Sequence, residues 1–300
     1  MDNPYITPGR VRAALNTLDL RPSKDLGQNF LVDPHVLQQI VDAAELSRDD
    51  TVIEVGPGLG VLTYELVQRA GRVMAIELDK RLAARLRGEF VGTPNLTVIQ
   101  ADVMKVDPAA VLGGARANPP VYKVVANLPY QITSAIIRHF LEVTPAPETL
   151  VIMVQWEVAQ RIVARPPNMS VLAHSVQIYA DAEIVTRVPA ASFVPAPKVD
   201  SAVLRLRRRP QPLVVVDNVD ALFRTIKAGF LQARKKLSNA LPSGLASMGI
   251  KIEKDAALRV LTAAGIDPDR RAETLTLEDW ARVHQGVRQL AESSSGPQAH

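Results

Sequence analysis

Thr51-Val52-Ile53-Glu54-Val55-Gly56-Pro57-Gly58-Leu59-Gly60 is the stretch that decides the fold. An apolar strand runs straight into a loop with glycine at positions 56, 58 and 60, and the helical spacing of Val61, Leu62, Leu66 and Val67 follows it. Glycines between a strand and a helix let the backbone approach a ligand closely, at a helix N-terminus. Their spacing discriminates between ligands. A dinucleotide fingerprint, G-x-G-x-x-G, would place its third glycine at position 61, which is Val61.

Working outward, the strand Arg72-Val73-Met74-Ala75-Ile76 ends in Glu77, and Leu96-Thr97-Val98-Ile99-Gln100 ends in Ala101-Asp102. The E-x-G-x-G-x-G run from Glu54 to Gly60 resembles the S-adenosylmethionine loop of class I methyltransferases, which cradles no pyrophosphate. In this type of sheet an acid at position 77 can accept from both ribose hydroxyls of a nucleoside, and one at position 102 from its adenine amine. Either acid alone reads equally well as a solvated strand end. Ligand-type residues at the carboxyl ends of successive strands, with Asn127 ending a fourth, define one crevice at the edge where open α/β sheets bind ligands.

That fourth strand leads into Asn127-Leu128-Pro129-Tyr130, an amide, a fixed turn and an aromatic ring. The N6 nitrogen of adenine is a poor nucleophile while its lone pair is delocalised into the ring. Accepting its two hydrogens on the Asn127 side-chain oxygen and the Leu128 carbonyl would favour the pyramidal amine that can attack a methyl group. Pro129 restricts Leu128 to extended backbone, and Tyr130 can stack on the base. Alone, the four residues read equally as a strand-ending turn closed by a core tyrosine.

With these blocks and four more, the chain resembles the small-subunit ribosomal RNA adenine dimethyltransferases, which doubly methylate two adjacent adenines in the 3′-terminal hairpin loop of that RNA. The resemblance runs from about Lys24 to Val283. It includes Leu26-Gly27-Gln28-Asn29-Phe30-Leu31, the run Phe193-Val194-Pro195-Ala196-Pro197-Lys198-Val199-Asp200-Ser201-Ala202-Val203, and two C-terminal blocks beginning at Gly229 and Gly265. It implies cofactor contacts at Gln28, Asn29, Leu31, Gly56, Gly58, Glu77, Leu78, Asp102, Val103 and Asn127. It also implies catalytic roles for Asn127, Leu128, Pro129 and Tyr130, with Phe193 holding the target base from the other side. S-adenosylmethionine is then the cofactor, and the immature small ribosomal subunit the partner of a monomeric enzyme acting in ribosome biogenesis. Asp25-Leu26, Trp156 and Arg165-Pro166-Pro167-Asn168-Met169 depart from the family pattern, at positions that bear on RNA docking rather than methyl transfer.

The fold expected is α/β: a Rossmann-like, mostly parallel seven-stranded sheet with a smaller C-terminal helical domain. Asp33-Pro34 reads as the cap and first turn of a helix. Val176-Gln177-Ile178-Tyr179 and Ala202-Val203-Leu204-Arg205-Leu206 read as an antiparallel pair closing the sheet. The domains expected are a weakly specified arm over 1–20, the methyltransferase domain over 21–208, a helical RNA-binding domain over 209–289 and a disordered tail over 290–300. Arg207, Arg208, Arg234, Lys235 and Lys236 are the candidate RNA contacts; the other reading is a solvated charged face with a basic linker.

With 47% hydrophobic residues among 300, sizeable cores are available. Absence of cysteine fits a reducing compartment, and no apolar run is long enough to span a bilayer, so a cytoplasmic protein with no membrane association is expected. The histidines show no metal-ligand spacing, and no serine has a nucleophile-elbow context. The activity expected is S-adenosylmethionine-dependent N6-dimethylation of ribosomal adenines. Its rivals are a large-subunit ribosomal RNA adenine methyltransferase and a non-catalytic RNA-binding assembly factor.

Overall fold

A strand buried on both faces needs partners on both edges, and Thr51–Val55, buried at every position, lies between two parallel neighbours. The computed structural model describes residues 3–18, 29–113 and 121–294. Leu26, Gly27 and Gln28, the end of the expected arm and positions 295–300 of the expected tail lie outside the described residues.

In chain order the strands are β1 (Phe30–Leu31), β2 (Thr51–Val55), β3 (Arg72–Glu77), β4 (Leu96–Gln100), β5 (Tyr122–Asn127), β6 (Thr149–Gln155), β7 (Ala180–Val188), β8 (Phe193–Val194) and β9 (Ser201–Arg208). The helices are α1 (Pro8–Thr17), α2 (Pro34–Ala43), α3 (Val61–Arg69), α4 (Lys80–Glu89), α5 (Pro108–Leu112), α6 (Thr133–Glu142), α7 (Trp156–Ile162), α8 (Val171–Gln177), α9 (Val219–Phe230), α10 (Leu237–Ser247), α11 (Lys254–Ala263) and α12 (Leu277–Ser294). The main sheet has seven strands in the order β4-β3-β2-β5-β6-β9-β7, with β9 antiparallel to both its neighbours. The strand order reverses between β2 and β5, and that switch point opens a crevice at the carboxyl ends of both. A separate antiparallel pair, β1 with β8, brings Leu31 opposite Phe193 and Phe30 opposite Val194.

The chain divides into two units, one from Met1–Gln160 with Ala180–Arg208, the other from Arg161–Tyr179 with Arg209–His300. This differs from a single cut at position 209, because residues 161–179 go with the helical unit. Within them, Val176 and Gln177 end α8 rather than starting a strand. The Ser170 hydroxyl caps that helix by accepting from Ala173 N–H at 3.1 Å, and the Gln177 amide donates to the carbonyls of Ile162 and Ala164. Four alternating residues are too few to separate a strand from a helix end. The strand that pairs with β9 starts at Ala180, and its burial alternates along its length.

Two further expectations are corrected. The arm carries α1, capped by Thr7, whose Val11, Ala14 and Leu15 pack with Phe30, Leu59 and Leu82. Asn3 donates to Val61 O at 2.8 Å and to Glu65 Oε1 at 3.0 Å, tying the arm to α3. At the other end, α12 runs through Ser294, so part of the expected tail is helix. The expected helical domain opens with α9 and α10, separated by a turn over 231–236.

The core of the helical unit is built from Leu222, Ile226, Leu241, Leu261 and Trp280, all fully buried. It joins the two C-terminal sequence blocks, because the first N–H groups of α10, at Leu237 and Ser238, donate to the carbonyls of Arg270 and Pro268. Among the described residues no helix is long and apolar enough to cross a membrane.

Candidate active site

The loop between β2 and α3 carries Gly56, Gly58 and Gly60 with φ of 66°, 59° and 87°. That left-handed backbone favours glycine, and at Gly58 a Cβ would also come within 3.2 Å of the Phe30 ring. Glu77 at the end of β3 holds the loop. Its Oε2 accepts from Gly58 N–H at 3.0 Å and its Oε1 from Asp79 N–H at 2.9 Å. Only 6% exposed, its carboxyl is raised by burial above the usual carboxylate range, against the pull of the two backbone donors.

Glu54, the first residue of the glycine motif, is 1% exposed. Its Oε2 accepts from the Thr63 hydroxyl at 2.7 Å, and its Oε1 is a buried oxygen without a hydrogen-bond partner among the described residues. Burial pushes this carboxyl up to about 8, with the nearby Glu77 charge adding to the effect and the Thr63 bond opposing it. A buried polar atom left open at a crevice is a place for a ligand's polar group.

At the end of β4, Asp102 caps a short 3-10 turn, Val103–Lys105, with one oxygen accepting from Met104 N–H at 3.0 Å. Leu78, 53% exposed, and the buried Val103 present apolar surface beside the two acids. Glu54, Gly56, Gly58, Glu77, Leu78, Asp102 and Val103 line one cavity of about 410 Å3. Asn29 and Leu31 line it from β1 and the residue before it, as do Asn127, Leu128, Pro129 and Tyr130 from the end of β5. The size falls within the roughly 300 to 1,000 Å3 of small-molecule sites. Met104 and Ile132, exposed apolar side chains on the same wall, are additions that no sequence motif marks.

The Asn127 amide nitrogen donates to the Asn29 carbonyl at 3.1 Å, which assigns the other corner of the amide to oxygen, an acceptor. Leu128 is buried, and its N–H donates to Met153 O at 3.3 Å. Pro129 O accepts from Ile132 N–H and from the Thr133 hydroxyl, closing the turn that carries Tyr130. Tyr130 Oη lies 2.6 Å from Ser201 Oγ, a contact the sequence did not signal. Phe193, expected to hold the target base from the other side, is not among the residues lining this cavity. Its ring is 2% exposed and packs in the same core cluster as Leu31, its ladder partner, whereas Phe30 and the half-buried Val194 face a different cluster. Side chains alternate across a strand, so the β1–β8 register turned Phe193 inward.

The candidate RNA contacts divide. Arg207 pairs with Glu45 at 2.8 Å, and Arg208 donates to Leu141 O at 3.0 Å, so both are tied into the sheet unit. Arg234 and Lys235 are exposed in the turn between α9 and α10, and among the described residues neither has an ion-pair partner. Lys236 pairs with Asp269 at 2.7 Å. Among the described residues, no three His, Cys, Asp or Glu are grouped to hold a metal ion.

A seven-stranded sheet with one reversed strand, a glycine loop at its switch point and acids ending the next two strands define a class I S-adenosylmethionine-dependent methyltransferase. The chain belongs to the ribosomal RNA adenine dimethylase family, whose model matches residues 20–284. A Dehalococcoides mccartyi protein named ribosomal RNA small subunit methyltransferase A is 47% identical over 266 residues, 88% of each chain. Among solved structures, the 23S rRNA methyltransferase ErmE is 32% identical, with a TM-score of 0.66 over 87% of this chain and 100% of its own. A dimethyladenosine transferase from Plasmodium falciparum has a TM-score of 0.71 at 26% identity, over 87% of this chain and 98% of its own.

Proposed function

We propose that this protein transfers methyl groups from S-adenosylmethionine to the N6 nitrogens of two adjacent adenines in the 3′-terminal hairpin loop of small-subunit ribosomal RNA. The observation that carries the reading is the Asn127 amide, turned by Asn29 so that an acceptor oxygen remains at the cavity, next to the Tyr130 ring. The family supports the adenine, and 47% identity to a small-subunit enzyme against 32% to a large-subunit one supports the choice of RNA.

The residues present fit the cofactor: a glycine cradle, an open buried oxygen on Glu54 and acids on two successive strand ends. Bound S-adenosylmethionine supplies a methyl group activated on a sulfonium. Glu77, whose oxygens each keep lone pairs beyond the backbone bonds they accept, takes the ribose hydroxyls. Asp102 would accept from the adenine amine of the cofactor, with Leu78 and Val103 as the apolar surface beside it and Gly56, Gly58, Asn29 and Leu31 lining the same cavity. At the target, the Asn127 oxygen and the Leu128 carbonyl accept both N6 hydrogens, which localises the lone pair on nitrogen as it attacks. Tyr130 stacks on a base splayed out of its strand. The proton leaves after the nitrogen has gained its methyl and become acidic, so no strong base is needed.

Arg234, Lys235 and Lys236 meet phosphates in this reading, and Arg207 and Arg208, given their ties within the fold, contribute field more than contact. The enzyme works as a cytoplasmic monomer on an immature small subunit. The test is transfer of labelled methyl groups to unmodified small subunits, followed by mapping of the labelled nucleotides. We expect N6,N6-dimethyladenine at two neighbouring positions near the 3′ end of the small-subunit RNA. Label confined to large-subunit RNA would support the activity that the likeness to ErmE favours. Binding without any label would leave an assembly factor.

A further inference from the structure

We infer that Ser201 is a positioning residue for the target adenine, acting through the Tyr130 hydroxyl. This deepens the proposed function, since it rests on Tyr130 being the ring that stacks on the base. Tyr130 opens a 3-10 turn, Tyr130–Ile132, directly after β5 and Pro129. A tyrosine there is tethered at its Cα and free to turn about two side-chain torsions. Its hydroxyl, 2.6 Å from Ser201 Oγ, removes that freedom by fixing the far end of the ring.

Ser201 is itself immobilised. It is 0% exposed and begins β9, opposite Gln155 of β6 on one side and Val188 of β7 on the other. The residue before it is held from three directions. Asp200 O accepts from Trp156 N–H at 3.0 Å, its Oδ1 accepts from Ala190 N–H at 3.0 Å, and its Oδ2 pairs with Arg187 at 2.8 Å. Arg187 in turn lies over the Trp156 ring, 4.9 Å from its centroid. The sheet therefore carries a rigid post to the edge of the cavity, and the ring that meets the base is fastened to it. A stacking platform contributes to rate only if its plane suits the attack geometry, because small misplacements of bound groups cost large factors in rate.

A purely structural role for this bond, satisfying one buried and one half-buried hydroxyl, makes a different prediction for kinetics. The experiment compares Ser201→Ala, Tyr130→Phe and the double variant with wild type and with Asn127→Ala. The readouts are single-turnover methylation of small-subunit RNA, calorimetric affinity for S-adenosylmethionine, and circular dichroism at the assay temperature. Each single variant should lose about 10-fold in rate, in line with one ordinary hydrogen bond, and the double variant no more than either. Cofactor affinity should stay within about twofold of wild type, since the bond lies on the target side. Tyr130→Phe keeps every packing contact of the ring, so it carries the test even if Ser201→Ala folds poorly. Wild-type rates in Tyr130→Phe, with Asn127→Ala inactive, would remove Ser201 from the mechanism and leave the proposed function standing. Additive losses in the double variant, or losses matched by weaker cofactor binding, would also overturn the assignment. A wild-type protein that methylates no ribosomal RNA would remove both the assignment and the function beneath it.

Discussion

The side-chain nitrogen of Asn127 donates to the main-chain carbonyl of Asn29, 3.1 Å away and 98 positions earlier in the chain. One corner of a planar amide is thereby committed to the fold, and in the proposed reaction the acceptor corner takes the target amine. Asn127→Ala removes that acceptor without touching the glycine loop. Single-turnover methylation should fall by about 100-fold or more, while cofactor affinity stays within a few fold. Quenched-flow methyl transfer alongside calorimetry checks both, and an active Asn127→Ala enzyme would overturn the mechanism.

Glu77 ties Gly58 and Asp79 together through its two oxygens, so its loss reaches beyond any ligand contact. Glu77→Ala should weaken S-adenosylmethionine binding by roughly 1.5 to 3 kcal/mol through lost charge-assisted bonds. The cofactor-free protein should also melt earlier, because two backbone donors lose their acceptor. Unchanged affinity in calorimetry would move the ribose away from this residue.

Glu54 gives a pH dependence with a definite sign. In the folded protein its carboxyl titrates near 8, against an ordinary value of 4.5, so the fold holds one proton more than the unfolded chain between those values. Its contribution to stability is full below pH 4.5 and declines as pH rises toward 8, by at most about 1.4 kcal/mol per pH unit. Glu54→Gln keeps an acceptor for Thr63 and cannot ionise. Denaturant melts of the cofactor-free proteins at pH 5, 6, 7 and 8 should show wild type losing ground to the variant at each step. Parallel stability curves would mean that Glu54 is already ionised in the fold.

Arg234 and Lys235 separate RNA docking from catalysis. Each phosphate contact releases counterions, so Arg234→Ala with Lys235→Ala should weaken RNA binding and lower the slope of log affinity against log salt by about two, or slightly less. Cofactor affinity should not change. Glu273, the carboxylate that could have tied Arg234 into the helical unit, instead has Oε1 4.0 Å from Arg271. RNA titrations at several salt concentrations, with a thermal melt beside them, decide the matter. An unaltered slope with a lowered melting point would take this patch off the RNA-binding surface.

What the sequence by itself determined was local. Thr51–Val55 with its three glycines is a strand, a loop and a helix because the apolar run, the positive-φ residues and the helical spacing are contiguous. Glu77, Asp102 and Asn127 were placed at one edge because parallel strands joined by helices put their carboxyl ends together. What only the tertiary structure decided depends on which segments meet. The two-residue ladder of β1 with β8 turned Phe193 into the core and delivered Asn29 to Asn127, a choice of face that a one-residue shift of register would reverse. Packing against Phe30, Leu59 and Leu82 gave the arm its helix, and Ser170 and Gln177 closed a helix where four alternating residues resemble a strand. Tyr130 and Ser201 are 71 positions apart. Their bond exists because β9 enters the sheet beside β6, and strand order is a property of the whole chain's packing that no local pattern encodes.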